Sequence, residues 1–400
     1  MPEAVIVATA RTAIGRANKG SLVECRPDDL TATIVKAVLA KVPQLDPNEV
    51  EDLIVGCGQP GGESGYNVAR VAAVLAGLAE VPGVTVNRYC SSSLQTIRMA
   101  AHAIKAGEGD VFVAAGVETV SRYMFGASDT GPHNPAFTAA EARSAERSQG
   151  GQPPWAPPDG LPDIYIAMGQ TAENVREAEG VSRQEMDEFA ALSQNRAVTS
   201  QQNGFFEREI TPITLSDGTV VTKDDGPRPD TTVEKLATLK PAFRPDGEIT
   251  AGNACPLNDG AAAVVVMSDT RAAELGATPL ARVVASGVSG LNPEIMGLGP
   301  IEACRHALKR AGMTIDDIDL VEINEAFAAQ VIPSARHLGI DWDKLNVNGG
   351  AIALGHPFGM TGARIMTTLL NGLEDADKTI GLETMCVGGG QGMAMIVERL

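Results

Sequence analysis

Basic side chains are scarce: 32 Lys and Arg stand against 50 Asp and Glu among 400 residues, a formal net charge of −18. Binding nucleic acid or an anionic membrane depends on Lys and Arg patches that release counterions, so neither is expected as a partner. Cysteines are few as well, six in all: Cys25, Cys57, Cys90, Cys255, Cys304 and Cys386. They are too sparse for a secreted disulfide framework and lack metal-site spacing, so free thiols and no bound metal are expected. The opening Met1-Pro2-Glu3, before Val5-Ile6-Val7, has neither the basic flank nor the long apolar run of a signal peptide or membrane span. A cytoplasmic, globular protein is the expectation. With 44% hydrophobic and 20% charged residues, the chain is too apolar for disorder and long enough for two similar-sized domains.

Short Val- and Ile-rich runs recur between helical patterns: Val5 to Val7, Leu53 to Val55, Val111 to Val113, Val264 to Val266, Leu320 to Ile323 and Ala394 to Val397. Such runs predict buried strands of an α/β architecture. Several have counterparts half a chain away. Leu53 to Val55, after a helix ending near Lys41, matches Leu320-Val321 after a helix ending near Ala311; Thr85-Val86-Asn87 matches Asn346-Val347-Asn348. The repeat predicts duplicated α/β halves with the active site where they meet. The expected division is a first half over 1–121 completed by about 251–270, an insertion over 122–250 and a second half over 271–400. The insertion is Pro-rich around residues 153–158, helical through Thr171 to Ala197, then loop-like and basic through Lys223, Arg228, Lys235, Lys240 and Arg244. A lid-like element with an anion-binding stretch is expected there.

Four segments carry chemistry. Cys90, in Asn87-Arg88-Tyr89-Cys90-Ser91-Ser92-Ser93-Leu94, follows a strand and precedes a helix with apolar spacing at Leu94, Ile97, Ala101 and Ile104 that stops at Gly107. Unpaired N–H groups and the positive helix end would favour its thiolate. His356 sits in the Gly-rich turn Asn348 to Pro357, before a helix near Thr361 to Leu373. His102, His133, His306 and His337 suit ordinary surface roles better. Cys386 lies in Glu383 to Gly392, a turn between two strands whose four glycines free backbone N–H groups to face an oxyanion. Asn324 ends a strand in Glu322 to Phe327, the usual place for ligand contacts in such sheets.

Together, in this order and over nearly the full length, the four segments resemble the thiolases, and more the degradative 3-ketoacyl-CoA thiolases than the acetoacetyl-CoA-specific enzymes. The resemblance implies two duplicated βαβαβαββ halves in a five-layered α-β-α-β-α fold with an inserted loop domain, assembled as a homodimer or homotetramer. It implies CoA and acyl-CoA as substrates, with no permanently bound cofactor. By that resemblance Cys90 is the acyl-accepting nucleophile, His356 its base and Cys386 the second, proton-transferring thiol. Asn324 positions a water, and the N–H groups of Cys90 and Gly388 form an oxyanion hole. Met168, Ala251, Met296 and Phe327 resemble pantetheine-tunnel positions, and Arg228 a contact for the nucleotide end. Three positions depart from patterns frequent in the family: Ala167 where acetoacetyl-CoA enzymes have His, Cys255-Pro256 where Ser-Gly is frequent, and Thr361 in place of Ser, expected to narrow the site.

Three rival readings share parts of this pattern. A decarboxylating β-ketoacyl synthase shares the nucleophile turn, but Cys386 in its glycine turn argues against it. A thiolase-like acyl-CoA or lipid carrier would lack part of the Cys90, Asn324, His356 and Cys386 set. A zinc site on Cys90, His356 and Cys386 lacks a fourth ligand.

Overall fold

The computed structural model describes residues 2–400. Its first half runs β1 (Ala4–Arg11), α1 (Pro27–Ala40), β2 (Asp52–Gly56), α2 (Val68–Leu75), β3 (Gly83–Val86), α3 (Ser92–Ala106) and β4 (Val111–Thr119). Before β5 (Asn258–Ser268) closes that half, the insertion contributes α4 (Thr138–Ser148), α5 (Met168–Glu179) and α6 (Arg183–Gln202). The second half repeats the pattern with β6 (Ala281–Gly290), α7 (Gly299–Ala311), β7 (Leu320–Ile323), α8 (Ala328–Leu338), α9 (Thr361–Asp375), β8 (Ile380–Val387) and β9 (Gln391–Arg399). The strands follow the order β7-β8-β9-β6-β1-β5-β4-β2-β3. In the sheet the halves are joined where Val5 pairs with Arg282 and Ile6 with Ala281.

Alternation along the strands sorts the apolar residues into three clusters, and these separate five layers. On β1, Val5, Val7 and Ala10 pack with Leu30, Ile34 and Val38 of α1, whereas Ala4 and Ile6 face the opposite way, into the centre. In that centre α3 (Leu94, Ile97, Ile104) and α9 (Ala363, Met366, Leu369, Leu373) lie between the inner strand faces of both halves. On the far side, Val321, Leu382 and Ile396 pack against α7 and α8 through Cys304, Leu308, Val331 and Ala335. Leu94 and Ile97 are fully buried, each worth roughly 1.5–3 kcal/mol.

Two glycines set how closely α9 and the turn before it approach α3 and β4. A Cβ on Gly362 would lie 2.2 Å from the backbone N of Leu94, and one on Gly116 only 2.0 Å from the carbonyl O of Gly359. The closeness they permit brings the start of α3, with Cys90, to the turn before α9, with His356. A fully buried ion cluster ties the insertion to β1: the Arg11 guanidinium donates to Glu209 at 2.7 Å and to Asp224 at 2.8 and 3.0 Å.

Three expectations need correction. Asn346–Asn348 forms no strand: Asn346 takes a φ of +45°, its Nδ2 donates to Ile323 O and its Oδ1 accepts from Ile323 N, so a side chain replaces the strand ladder. The helix expected over Thr171 to Ala197 is two, α5 and α6, divided where Gly180 adopts φ +64° and Ser182 caps α6 in a capping box with Glu185. The basic stretch is not one patch. Arg244 is buried and bonded to Gln170, Glu177 and Asn174, and Lys235 donates to the backbone of Asp230. Among the described residues no helix is long and apolar enough to cross a membrane.

Candidate active site

Cys90 lies in a one-turn 3₁₀ segment, Tyr89–Ser91, that leads into α3. The turn is wound tightly: Tyr89 has φ +44°, its N–H donates to Asn87 Oδ1 at 2.8 Å, and Ser92 Oγ donates to Tyr89 O at 2.7 Å. A non-glycine residue in the left-handed region costs about 1–3 kcal/mol and persists where its surroundings enforce it. The expected thiolate is corrected here. Burial pushes the Cys90 thiol up from 9.0 to about 12, against the lowering effect of the Gly388 and Cys90 N–H groups, with Glu118 adding to the rise. That is roughly 4 kcal/mol against the anion, more than the ~0.3–2 kcal/mol a helix end supplies. Cys90 is therefore held as a neutral thiol at neutral pH.

His356 is held from three sides. Its backbone N–H donates to Asn258 Oδ1 at 3.0 Å, Nδ1 lies 2.6 Å from Thr361 Oγ1, and Nε2 lies 3.3 Å from Asn324 Nδ2. Thr361 has one proton, which goes to Pro357 O at 2.9 Å. Its oxygen therefore accepts from His356 Nδ1–H, which leaves the Nε2 lone pair free to accept from Asn324. Burial, with Arg364 nearby, pushes the imidazole down to about 3, so at neutral pH it is an uncharged base. Thr361 thus orients the ring rather than narrowing the site. Thr361→Val, which keeps the shape and removes the acceptor, is expected to lower kcat about 10- to 100-fold with KM nearly unchanged. Thr361→Ser should restore activity; equal kcat in Thr361→Val and wild type would remove the ring-orienting role.

Cys386 is fully buried on β8, and its thiol is pushed well above the ordinary range by burial, then by Cys90 and Cys255. Burial followed by the influence of Cys90 likewise raises Cys255, which identifies the three thiols as neighbours. Asn324 Oδ1 is buried and meets no donor from the protein. Sequence reasoning missed Glu118. This buried carboxylate accepts from Gly58 N at 2.8 Å, Gly359 N at 2.9 Å and Tyr123 Oη at 2.8 Å, and so ties the turn after His356 to the strand beside Cys90. Burial raises its pKa. Among the described residues no cluster of His, Cys, Asp or Glu could hold a metal ion.

A cavity of about 650 Å³ opens over this chemistry. Cys90, Gly388 and Gly389 are among the residues of its floor and wall, and the insertion supplies a facing wall through Ser128, His133, Tyr165, Ile166 and Met168. His133, read from sequence as a surface residue, stacks on Tyr165 at 3.8 Å and lines the cavity. Asn324, His356 and Cys386 are buried beside it rather than part of its lining.

Of the five expected CoA contacts, only Met168 lines this cavity. Phe327 and Met296 are buried, Phe327 with its ring 6.0 Å from Phe243, whose edge would meet a Cβ on Gly169 at 2.1 Å. Ala251 is exposed, close in sequence to Ala254, which bridges to Phe327. Arg228 is exposed, with Arg16 near its guanidinium.

The family model described as thiolase, N-terminal domain, matches residues 4–270, and that described as thiolase, C-terminal domain, matches residues 277–399. The chain is 45% identical over 409 residues to a 3-ketoacyl-CoA thiolase of Aeromonas hydrophila and 43% identical over 411 residues to one of Bacillus subtilis, with all of both chains covered in each case. The crystal structure of the Bacillus anthracis acetyl-CoA acetyltransferase superposes with a TM-score of 0.87 at 39% identity, covering 100% of this chain and 99% of that one.

Proposed function

Since the chain belongs to the thiolase family, we propose that it is a 3-ketoacyl-CoA thiolase, an acyltransferase that cleaves 3-ketoacyl-CoA with CoA through an acyl-Cys90 intermediate. The observation that carries the reading is the meeting, beside one cavity, of two buried thiols and one buried imidazole whose Nε2 carries no proton and faces Asn324.

His356 Nε2 takes the Cys90 proton, and the thiolate attacks the C3 carbonyl. Only after that transfer does Nε2 carry a hydrogen to donate, and it then acts with a water held by Asn324 as one oxyanion hole. The N–H groups of Cys90 and Gly388 serve the oxygen on C3, which becomes the carbonyl of the acyl-Cys90 thioester. The C2–C3 bond breaks with its electron pair moving onto C2, where the enolate takes the Cys386 proton and leaves as acetyl-CoA. The Cys386 thiolate then accepts the proton of incoming CoA, whose sulfur takes the acyl group from Cys90, and His356 returns the first proton. A Cys386 thiol kept protonated by burial suits the step in which it must first act as an acid.

Met168 at the cavity wall supports a pantetheine path between insertion and core, with Phe327, Met296 and Ala251 behind it and Arg228 beside Arg16 at the nucleotide end. The family resemblance supports an assembly of two or four copies. The test follows loss of 3-ketoacyl-CoA absorbance in the presence of CoA, across a range of acyl lengths, with intact mass recorded on quenched enzyme. CoA-dependent cleavage with an acyl adduct at Cys90 is expected. No cleavage at any length and no adduct would leave a carrier as the better account.

A further inference from the structure

A second cavity, of about 290 Å³, lies between α3, β6 and α7 and shares no lining residue with the active-site cavity. Arg98, His102 and Lys105 line it from one face of α3, spaced four and then three residues apart, and Arg310 lines it from α7. Among the described residues no Asp or Glu does so. We propose that this pocket is a binding site for a phosphate group, separate from the site of acyl transfer.

The whole chain carries a formal net charge of −18, so a pocket lined by cations alone reverses its average surface and draws anions locally. The cations also act on one another. Burial, then Arg88 and Arg310, lower the value of Arg98, and burial, then Arg98, Lys105 and Arg310, push His102 down. Like charges so placed repel, and an anion among them offsets that repulsion.

The guanidinium groups are braced, yet they keep donors for a ligand. Arg98 Nε donates to Ser286 Oγ at 3.2 Å and Nη1 to Gln95 Oε1 at 3.5 Å, whereas Nη2 bonds to none of the described residues and is not sealed from solvent. Arg310 Nη1 donates to the Ser286 carbonyl, which leaves its Nε and Nη2. One serine of β6 thus steadies both arginines, and among the described residues neither has a carboxylate partner. Lys105 Nζ donates to Val283 O at 3.1 Å; Glu3, outside the lining, stands 3.9 Å from it. Two arginine forks with an ammonium and an imidazole beside them suit a phosphate, which brings up to two negative charges and at least three acceptor oxygens, better than a singly charged carboxylate with two.

Inorganic phosphate and glycerol phosphate, titrated calorimetrically into the full-length enzyme in its native assembly at fixed ionic strength, test the site. Saturable binding with a dissociation constant on the order of 1 mM or tighter is expected for at least one of them. Arg98→Gln and Arg310→Gln should each weaken it about tenfold or more. Arg305→Gln, which removes the same charge from α7 outside the pocket, should leave it unchanged. Tighter binding of the ester would identify a phosphorylated metabolite as the ligand, and equal or tighter binding of inorganic phosphate the free ion. CoA carries phosphates of its own, so the titration is repeated with one CoA bound per chain, and phosphate should still bind. No saturable binding, binding abolished by that CoA, or binding untouched by both arginine substitutions would overturn the site. Loss of the assembly in both arginine variants would overturn it as well, by assigning the cluster to a contact between copies. Arg310 is exposed, so its variant should fold even where Arg98→Gln, half-buried in wild type, does not.

Discussion

Cys90→Ala is expected to lower CoA-dependent cleavage by at least about 10⁴-fold, with no acyl adduct on the quenched enzyme and with CoA still bound. Cys90 is 9% exposed and small, so truncation to alanine removes one sulfur from a turn that is fixed by other atoms: Asn87 Oδ1, Ser92 Oγ and the Arg88 carbonyl. The fold should therefore survive, and a variant that unfolds would show that the thiol serves packing. The same burial gives Cys90 a pH signature. With a thiol near 12, the thiolate fraction of the free enzyme grows about tenfold per pH unit, so alkylation of Cys90 should keep rising through about pH 10 without a plateau. The imidazole, pushed down to about 3, stays neutral below the ordinary His range, so His356 contributes no acid limb to kcat/KM near 6.5. A plateau of alkylation near neutral pH would mean that Cys90 and His356 rest as an ion pair.

The same depressed imidazole links pH to stability. Between about 3 and 6.5 the unfolded chain binds a proton at His356 that the folded chain refuses. Its contribution therefore favours the fold above the unfolded value and is lost as pH falls towards the folded one.

How much of this was legible in the sequence depended on how far each feature reaches along the chain. Buried strands announce themselves in local runs such as Val264 to Val266, and the turns that hold Cys90, His356 and Cys386 are marked by the glycines and apolar spacing beside them. The half-chain repeat suggests equivalent turns for Cys90 and His356, and Gly362 against Leu94 and Gly116 against Gly359 show the close approach that brings those turns together. What stayed hidden was set by partners distant in sequence. Glu118 acts on Gly359 across 241 residues, and Arg244 on Gln170 across 74. No local pattern distinguishes such an arginine from a solvated one. The Asn346 side chain that replaces a strand ladder is equally silent, because the run Asn346-Val347-Asn348 reads as strand until its left-handed backbone is seen. The charge state of Cys90 was misread for a related reason: a helix end is visible in sequence, the desolvation that outweighs it is not.

Cys386→Ser is the complementary expectation, because it separates acylation from proton transfer at carbon. Serine nearly matches the size of the thiol, and the residue sits fully buried on β8 opposite Gly392, so the strand pairing should be kept. In the proposed mechanism acylation of Cys90 needs only His356 and the oxyanion donors, so an acyl adduct should still form from acyl-CoA and appear in the intact mass. Thiolysis requires a proton delivered to the departing C2 and then one taken from CoA. An alcohol is a far weaker acid than a thiol and its alkoxide is not accessible in a buried site. Turnover should fall by about 10²- to 10⁴-fold, the range general acid–base groups supply, and exchange of the α-proton of acetyl-CoA with solvent should fall with it. KM for 3-ketoacyl-CoA should change little, since the thiol is not part of the cavity lining. Wild-type rates of cleavage and α-proton exchange in Cys386→Ser would transfer the role to Cys255, the remaining thiol whose charge is coupled to both Cys90 and Cys386. The double substitution of Cys255 and Cys386 would then be the variant that stops turnover.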